Sequence, residues 1–453
     1  MKTIIFLSLF LLLCASFVEA HPVRAEQMAQ VMQPGQGCTV IYASAGDLAF
    51  GGNNEDSLNP LTRAWFIPAS NGRYGRVYFG YDDLRLQGGM NDQGLFFDGL
   101  YLPYKALGAS AQLPDFPGGP NVMLDEVMAR SATVDEALAY FMRYNRGLET
   151  GQLFFGDKAG NSAIVEGDAI LRKKGSYQIV TNFRQSENPG PPYFDGRYNA
   201  ADELLSQAGS YSVELIRQVL DATHQEDNAQ TVYSQVYDLK QGLIYMYLFH
   251  DYRNVIILKL ADELAKGPHM VSFASLFLEN QAYEQWSQQM TDNWRIFYEY
   301  RIDASVKRAK LGSLVGEYRV QGDASALPVR IYLEKDQLYL QKPNELPSEF
   351  YPDSAGFIFH PFYNNTELRL TFQRNLFGQV TGAEAKLVYD RDKVAYSYTL
   401  NKSGVLSDRQ IPWLALLIVV IIPVLVIRRR RAGYKMKDME SHKTKVTMSL
   451  VIT

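Results

Sequence analysis

Cys38-Thr39-Val40-Ile41-Tyr42-Ala43-Ser44, the turn Ala45-Gly46-Asp47, and Leu48 through Phe50-Gly51-Gly52-Asn53-Asn54-Glu55-Asp56 form the stretch whose reading decides the fold. Two strand-like runs around a short glycine-containing turn predict a hairpin over Cys38–Ser44 and Leu48–Gly52. The hairpin opens on a cysteine, directly after a polar, unpatterned segment, His21–Gly37, which reads as an arm or propeptide. A lone cysteine in an exported chain is either inert packing or a nucleophile. Cutting the Gly37–Cys38 bond would give one residue both a thiol and a free α-amine. With a reference pKa of about 7.7–8.0, that amine serves as general base near neutral pH, so no catalytic histidine is required.

Further along, Gln152–Asp157 and Ser162–Glu166 predict a second strand pair across Lys158-Ala159-Gly160-Asn161, and Tyr177–Thr181 a buried strand. Val122–Arg130 and Val134–Tyr144 carry helical periodicity, and Thr133 with Glu136 forms a capping box. Ala200–Gln207 and Val213–Ala222 read as helices, Gly242–Phe249 and Val255–Leu260 as strands. Mixed blocks of this kind predict a layered α+β domain over 38–270, followed by a helical connector, 271–310. Over 311–400 short strands recur at Gly316–Val320, Val329–Glu334, Gln337–Gln341, Phe357–His360, Glu367–Phe372 and Ala385–Tyr389. They predict a small all-β barrel or sandwich, which loosely resembles the lipocalin-like modules that follow hydrolase domains in bacterial proteins.

The 453 residues are 47% hydrophobic and 13% aromatic, which suits two or three domains and excludes wholesale disorder. Two cysteines cannot build a disulfide framework or a Cys-rich zinc site. A net charge of −4 argues against a nucleic-acid partner. Met1–Ala20 reads as a secretory signal, which removes Cys14 and leaves Cys38 alone. Ile411–Ile427 carries no charge and is closed by Arg428-Arg429-Arg430-Arg431, the pattern of one transmembrane helix. The tail, 428–453, has eight basic against two acidic residues, so residues 21–427 carry −10. The expectation is a single-pass type I protein with an extracellular, periplasmic or lumenal domain and a cytoplasmic tail.

The order of short motifs adds a family. Cys38-Thr39-Val40 with Gly52-Asn53-Asn54-Glu55-Asp56, then Gly89-Met90-Asn91-Asp92-Gln93-Gly94-Leu95, Asp98-Gly99-Leu100-Tyr101, Val180-Thr181-Asn182 and Arg197-Tyr198-Asn199 resemble the choloylglycine hydrolase and penicillin V acylase family. The likeness spans about 38 to 260. It implies an N-terminal-nucleophile αββα sandwich that hydrolyses linear amide bonds through a thioester. By that resemblance Cys38 is nucleophile and, through its amine, base. Asn182 donates to the oxyanion, Tyr101 lines or completes that hole, Asp56 orients the α-ammonium, and Arg197 balances charge. Asn91 reads as a turn former. Asp56 beside Glu55 also fits a solvated loop pair, and Asn182 a strand-end cap. One departure stands out, since Asn53 occupies the place of the family's arginine.

Tyr78, Phe79, Tyr81, Phe96 and Phe97 are candidates for an apolar acyl pocket, although each fits ordinary core. No cofactor or metal ion is expected. The six histidines are scattered without metal-ligand spacing, and a papain-like pair of Cys38 with His224 or His250 stays open. Asn364-Asn365-Thr366 and Asn401-Lys402-Ser403 are glycosylation sequons if the host glycosylates. The reading is a membrane-anchored amidase for a small N-acyl amide. Its rivals are an acyltransferase of the same mechanism and an inactive surface-binding protein on the same scaffold.

Overall fold

The computed structural model describes residues 37–405, apart from 189, 227–228, 300, 307, 323–326, 363–365 and 390–392. The expected signal, the arm up to residue 36, the membrane helix 411–427 and the tail lie outside these residues, as does Asn364. Among the described residues no helix is long and apolar enough to cross a membrane. The chain forms two compact units that divide near residue 300.

The first unit holds two antiparallel sheets. One contains β1 (Thr39–Ala45), β2 (Leu48–Ser57), β10 (Tyr177–Val180), β11 (Gln230–Asp238), β12 (Leu243–Leu248) and β13 (Ile256–Lys259), in the order β10-β1-β2-β11-β12-β13. The other runs β14-β3-β4-β5-β6-β7-β8-β9. Its strands are β3 (Thr62–Ile67), β4 (Arg76–Tyr81), β5 (Gly88–Asn91), β6 (Leu95–Tyr101), β7 (Gly151–Asp157), β8 (Ser162–Glu166), β9 (Ala169–Arg172) and β14 (His269–Ser272).

Alternation along β1 explains the layering. Val40 and Tyr42 enter a core between the sheets with Phe79, Phe96 and Tyr237. Ile41 and Ala43 face the other way, onto Tyr198 and Ala201 of α3 (Gly196–Ser206) and Ile216, Val219 and Leu220 of α4 (Val213–Thr223). On the far sheet, Phe97 and Phe155 bury against Met123 and Val127 of α1 (Pro120–Arg130) and Leu138 and Phe141 of α2 (Val134–Phe141). The result is the four-layer αββα arrangement. Strands buried on both faces read as continuous apolar runs, which is why β4, Arg-Val-Tyr-Phe-Gly-Tyr, shows no alternation. Gly51 and Gly52 sit where β2 is squeezed from both sides. A Cβ on Gly51 would lie 2.8 Å from the Phe96 ring, and one on Gly52 2.6 Å from Ile216.

The Thr133–Glu136 capping box opens α2 as expected. Asn91 makes the expected turn, with its Oδ1 accepting from Gln93 and Leu95 backbone N–H groups. The expected connector is different. Phe273 is fully buried in the intersheet core, and Tyr283 on α6 (Gln281–Glu299) joins it, hydrogen-bonded to the Pro60 carbonyl at 2.6 Å. Large aromatics at the start of that segment make it part of the first unit, beyond the expected limit of 270. The short helix α5 (Leu260–Ala265) precedes β14.

The second unit is a closed eight-stranded antiparallel barrel, β15–β22. Its strands are β15 (Gly316–Val320), β16 (Val329–Glu334), β17 (Gln337–Gln341), β18 (Ser348–Pro352), β19 (Ile358–Pro361), β20 (Thr366–Arg374), β21 (Val380–Tyr389) and β22 (Lys393–Lys402). The sequence reading missed β18, a five-residue strand that ends on Pro352, and β22, although Val394, Tyr396, Tyr398 and Leu400 alternate there with smaller or polar residues.

Candidate active site

Strand register assembles the site. β1 pairs with β10 through Val40↔Val180 and with β2 through Thr39↔Asn54. Extended by one or two residues, the same registers set Cys38 opposite Asn182 on one side and Glu55 on the other. The contacts agree, with the Cys38 Sγ directed at Glu55 Oε2 at 3.6 Å. A shift in the β2–β11 ladder between Thr231 and Tyr233 falls beside Glu55 and Asp56. Such an irregularity re-aims side chains where pairing continues. Glu55 faces the thiol, while Asp56 faces Thr231, Gln225 and Arg197. Asn54 turns to α4 instead, donating to the Leu220 carbonyl at 2.9 Å, and is structural.

Asn182 is held by both ends of its amide. Its Nδ2 donates to the Tyr101 carbonyl at 2.8 Å, and its Oδ1 accepts from Arg197 Nη2 at 3.2 Å. One N–H of the amide remains, and the amide lies against Gly37, where a Cβ would stand 2.5 Å from Nδ2. Gly37 has φ +145, so a side chain is excluded by space and by backbone alike. The Gly37 carbonyl accepts from Gln225 Nε2 at 2.8 Å, and Gln225 also donates to Asp56. Arg197 completes the ring: Nη1 donates to the Cys38 carbonyl at 3.1 Å and Nη2 to Asp195 at 3.0 Å. Asp195 is the N-cap of α3, accepting from the Arg197 and Tyr198 N–H groups, so the helix start fixes the arginine.

The cation of the site is therefore Arg197. Asn53 is fully buried with neither side-chain polar atom partnered. It shares the intersheet space with acidic groups. Glu55 Oε1 and both oxygens of Asp98 are buried without partners, as are the Tyr81 and Tyr233 hydroxyls. Burial raises the carboxyls of Glu55 and Asp98, with Asp56 adding to the first and Glu55 to the second, and lifts Asp56 to about 7 against the pull of Thr231 and Arg197. Burial, then Glu55, Asp56 and Asp98, push the Cys38 thiol well above its ordinary value. With the Gly37–Cys38 bond intact, the thiol is neutral and its nearest proton acceptor is Glu55.

Cys38, Asn182, Asp56 and Arg197, chosen from sequence, thus come together. Asp56 and Glu55 are 6% and 2% exposed, so the solvated-pair reading is wrong; the strand runs on past Gly52 and carries both into the interior. Tyr101 contributes its carbonyl, while its side chain is largely exposed. Tyr78, Phe79 and Phe97 do not line a pocket: all three are core, Tyr78 and Phe97 beneath α1 and α2, and Phe79 between the sheets. The thiol faces Glu55, whereas the two histidines of the papain-like alternative stack on each other. The histidines are not all scattered, for His224 and His250 meet beside Glu226. Sequence reasoning missed Glu55 and Gln225; the strand register was the signal for the first, and the second had none.

Solved structures similar to this chain include penicillin V acylase from Agrobacterium tumefaciens, at 17% identity and TM-score 0.41, covering 51% of this chain and 90% of that one. A variant of conjugated bile acid hydrolase from Clostridium perfringens matches at 17% identity and TM-score 0.43, over 52% of this chain and 96% of that one. A second variant of it matches at 16% and 0.41, over 54% and 97%. No protein-family model and no curated protein matches the chain.

Proposed function

We propose that this chain is a membrane-anchored, outward-facing amidase that cuts itself before Cys38 and then hydrolyses a linear N-acyl amide through a thioester. The observation that carries the reading is the seating of the Gly37–Cys38 peptide. Its carbonyl is hydrogen-bonded by Gln225, the Asn182 amide rests on Gly37, and the thiol that must attack points at a carboxylate.

In the maturation step the Cys38 Sγ adds to the Gly37 carbonyl carbon, and its proton passes to Glu55. Gln225 donates to the oxygen that becomes an oxyanion. The C–N bond breaks, the proton goes to the Cys38 nitrogen, and a thioester remains. Water hydrolyses it, leaving a Gly37 carboxylate on the arm and a free thiol and α-amine on Cys38. In turnover that amine takes the thiol proton as Sγ attacks the substrate carbonyl and gives it to the amine that leaves when the C–N bond breaks, while Asn182 stabilises the oxyanion and Asp56 and the Cys38 carbonyl, through Arg197, hold the new terminus. The acyl–thiol intermediate is then released to water.

N-terminal sequencing of the purified full chain tests this. The expected start is Cys38, with Cys38→Ser blocked or slowed. A chain still beginning before Cys38 and showing no thiol-dependent amide turnover overturns the reading. Glu55→Gln separates the steps, because it slows self-processing while the chains that do mature keep the α-amine and turn over as the native enzyme does. For the native chain, processing accelerates as pH rises through neutrality, since a carboxyl raised by burial is a base only once ionised.

A further inference from the structure

We propose that His224, Glu226 and His250 form a binding site for a divalent transition-metal ion of the zinc class. The ligand atoms of the three lie within 4.8 Å of one another. His224 caps the C-terminus of α4, and its Nδ1 faces the Asp221 carbonyl. A carbonyl only accepts, so Nδ1 carries the hydrogen and Nε2 presents a lone pair. That lone pair faces another acceptor, Glu226 Oε1, at 2.9 Å. Two acceptors at this separation need a cation between them, either a proton or a metal ion.

His250 decides between the two. Its ring stacks on His224 with centroids 5.1 Å apart, and its Nε2 is buried with no partner. A proton shared by His224 and Glu226 leaves that buried nitrogen unsatisfied, which costs the full desolvation of the group. A metal ion satisfies all three groups at once. The Asp221 carbonyl then plays the outer-sphere role usual for a metal-bound imidazole, fixing the tautomer. Two imidazoles and one carboxylate suit zinc or its neighbours, whereas calcium and magnesium take oxygen ligands. Zinc bonds of about 2.0–2.2 Å set tetrahedral ligand atoms roughly 3.4 Å apart, so the His224–Glu226 pair at 2.9 Å opens slightly, His250 draws in, and the exposed Glu226 is free to adjust.

The ion also bears on the proposed chemistry, a consequence that rests on the amidase reading. Gln225, between two of the ligands, donates to the Gly37 carbonyl and to Asp56. Clamping its neighbours to His250 fixes the loop that aims it.

The test uses the full chain without a polyhistidine tag, stripped with chelator and titrated with Co2+ and then Zn2+. Expected are one ion per chain, a tetrahedral Co2+ absorption spectrum, and a rise in melting temperature. His250→Ala and Glu226→Gln, the latter at an exposed side chain that leaves folding intact, each weaken binding by at least about 10-fold. No binding at micromolar metal, or binding by either variant as tight as that of the native chain, overturns the site. Metal binding without self-processing in any form sinks the amidase reading and leaves the site standing.

Discussion

The sandwich and the barrel both bury carboxylates, and near Cys38 the sandwich leaves some of them unpaired where the barrel pairs its own. In the barrel, Asp353 and Glu367 are 5% and 8% exposed, and both are met by the Arg301 guanidinium at 2.6–3.2 Å. Asp353 takes a further N–H from Ala355, and Glu367 is also paired with Arg369. In the sandwich, Asp98, Asn53 and one oxygen of Glu55 are just as buried and have no partner. A satisfied buried network specifies structure; an unsatisfied one costs stability and persists where something other than stability maintains it. The unpaired groups surround Cys38.

Three substitutions press on this contrast. Arg301→Ala strands two buried carboxylates and costs about 3–5 kcal/mol, read as lost hydrogen-exchange protection in β19–β21. Full protection there would mean that the barrel's pairs are incidental. Asn182→Ala removes one oxyanion donor and lowers turnover by roughly 10²–10³-fold, about 2.7–4 kcal/mol, with folding unchanged. Unaltered turnover would reduce Asn182 to a strand-end cap. The smallest effect has the opposite sign: Asp98→Asn stabilises the chain at pH 8 by about 1–3 kcal/mol. Burial raises the Asp98 carboxyl, so its native stability is fully present below the unfolded pKa and is lost as pH rises toward the folded one. The gain over wild type must therefore shrink toward pH 4. A gain independent of pH would assign it to packing.

How far the sequence carried differs between these regions for physical reasons. The β1–β2 hairpin, α1 to α4 and most barrel strands were readable because their signals are local: turn glycines, a capping box, period-two alternation. Cys38 and Asn182 were readable through ordered motifs. Tyr78, Phe79 and Phe97 misled because an aromatic run has the same composition in a pocket wall and in a doubly buried strand. Glu55 was hidden by its position after Gly-Gly-Asn-Asn, which reads as loop until β2 is known to continue. Gln225 and Gly37 lie 188 residues apart, and no periodicity in one chain reports such a meeting. The same holds for His224 and His250, joined by a turn in which Phe249 and His250 both take positive φ.

The pairing of β1 with its two neighbours behaves like a reading frame for chemistry. Cys38 meets Glu55 and Asn182 only because both ladders are counted from fixed residues, and side chains change face at every step. A single inserted or deleted residue in either arm of the hairpin would turn the thiol toward the helix layer, although every motif would still be present in order. Variation in length is confined to the Ala45-Gly46-Asp47 turn, to steps of two, or to a compensating bulge. For anyone grafting or recombining this segment, the quantity to conserve is the parity of the count from Cys38 to Glu55, ahead of the identity of the residues between them.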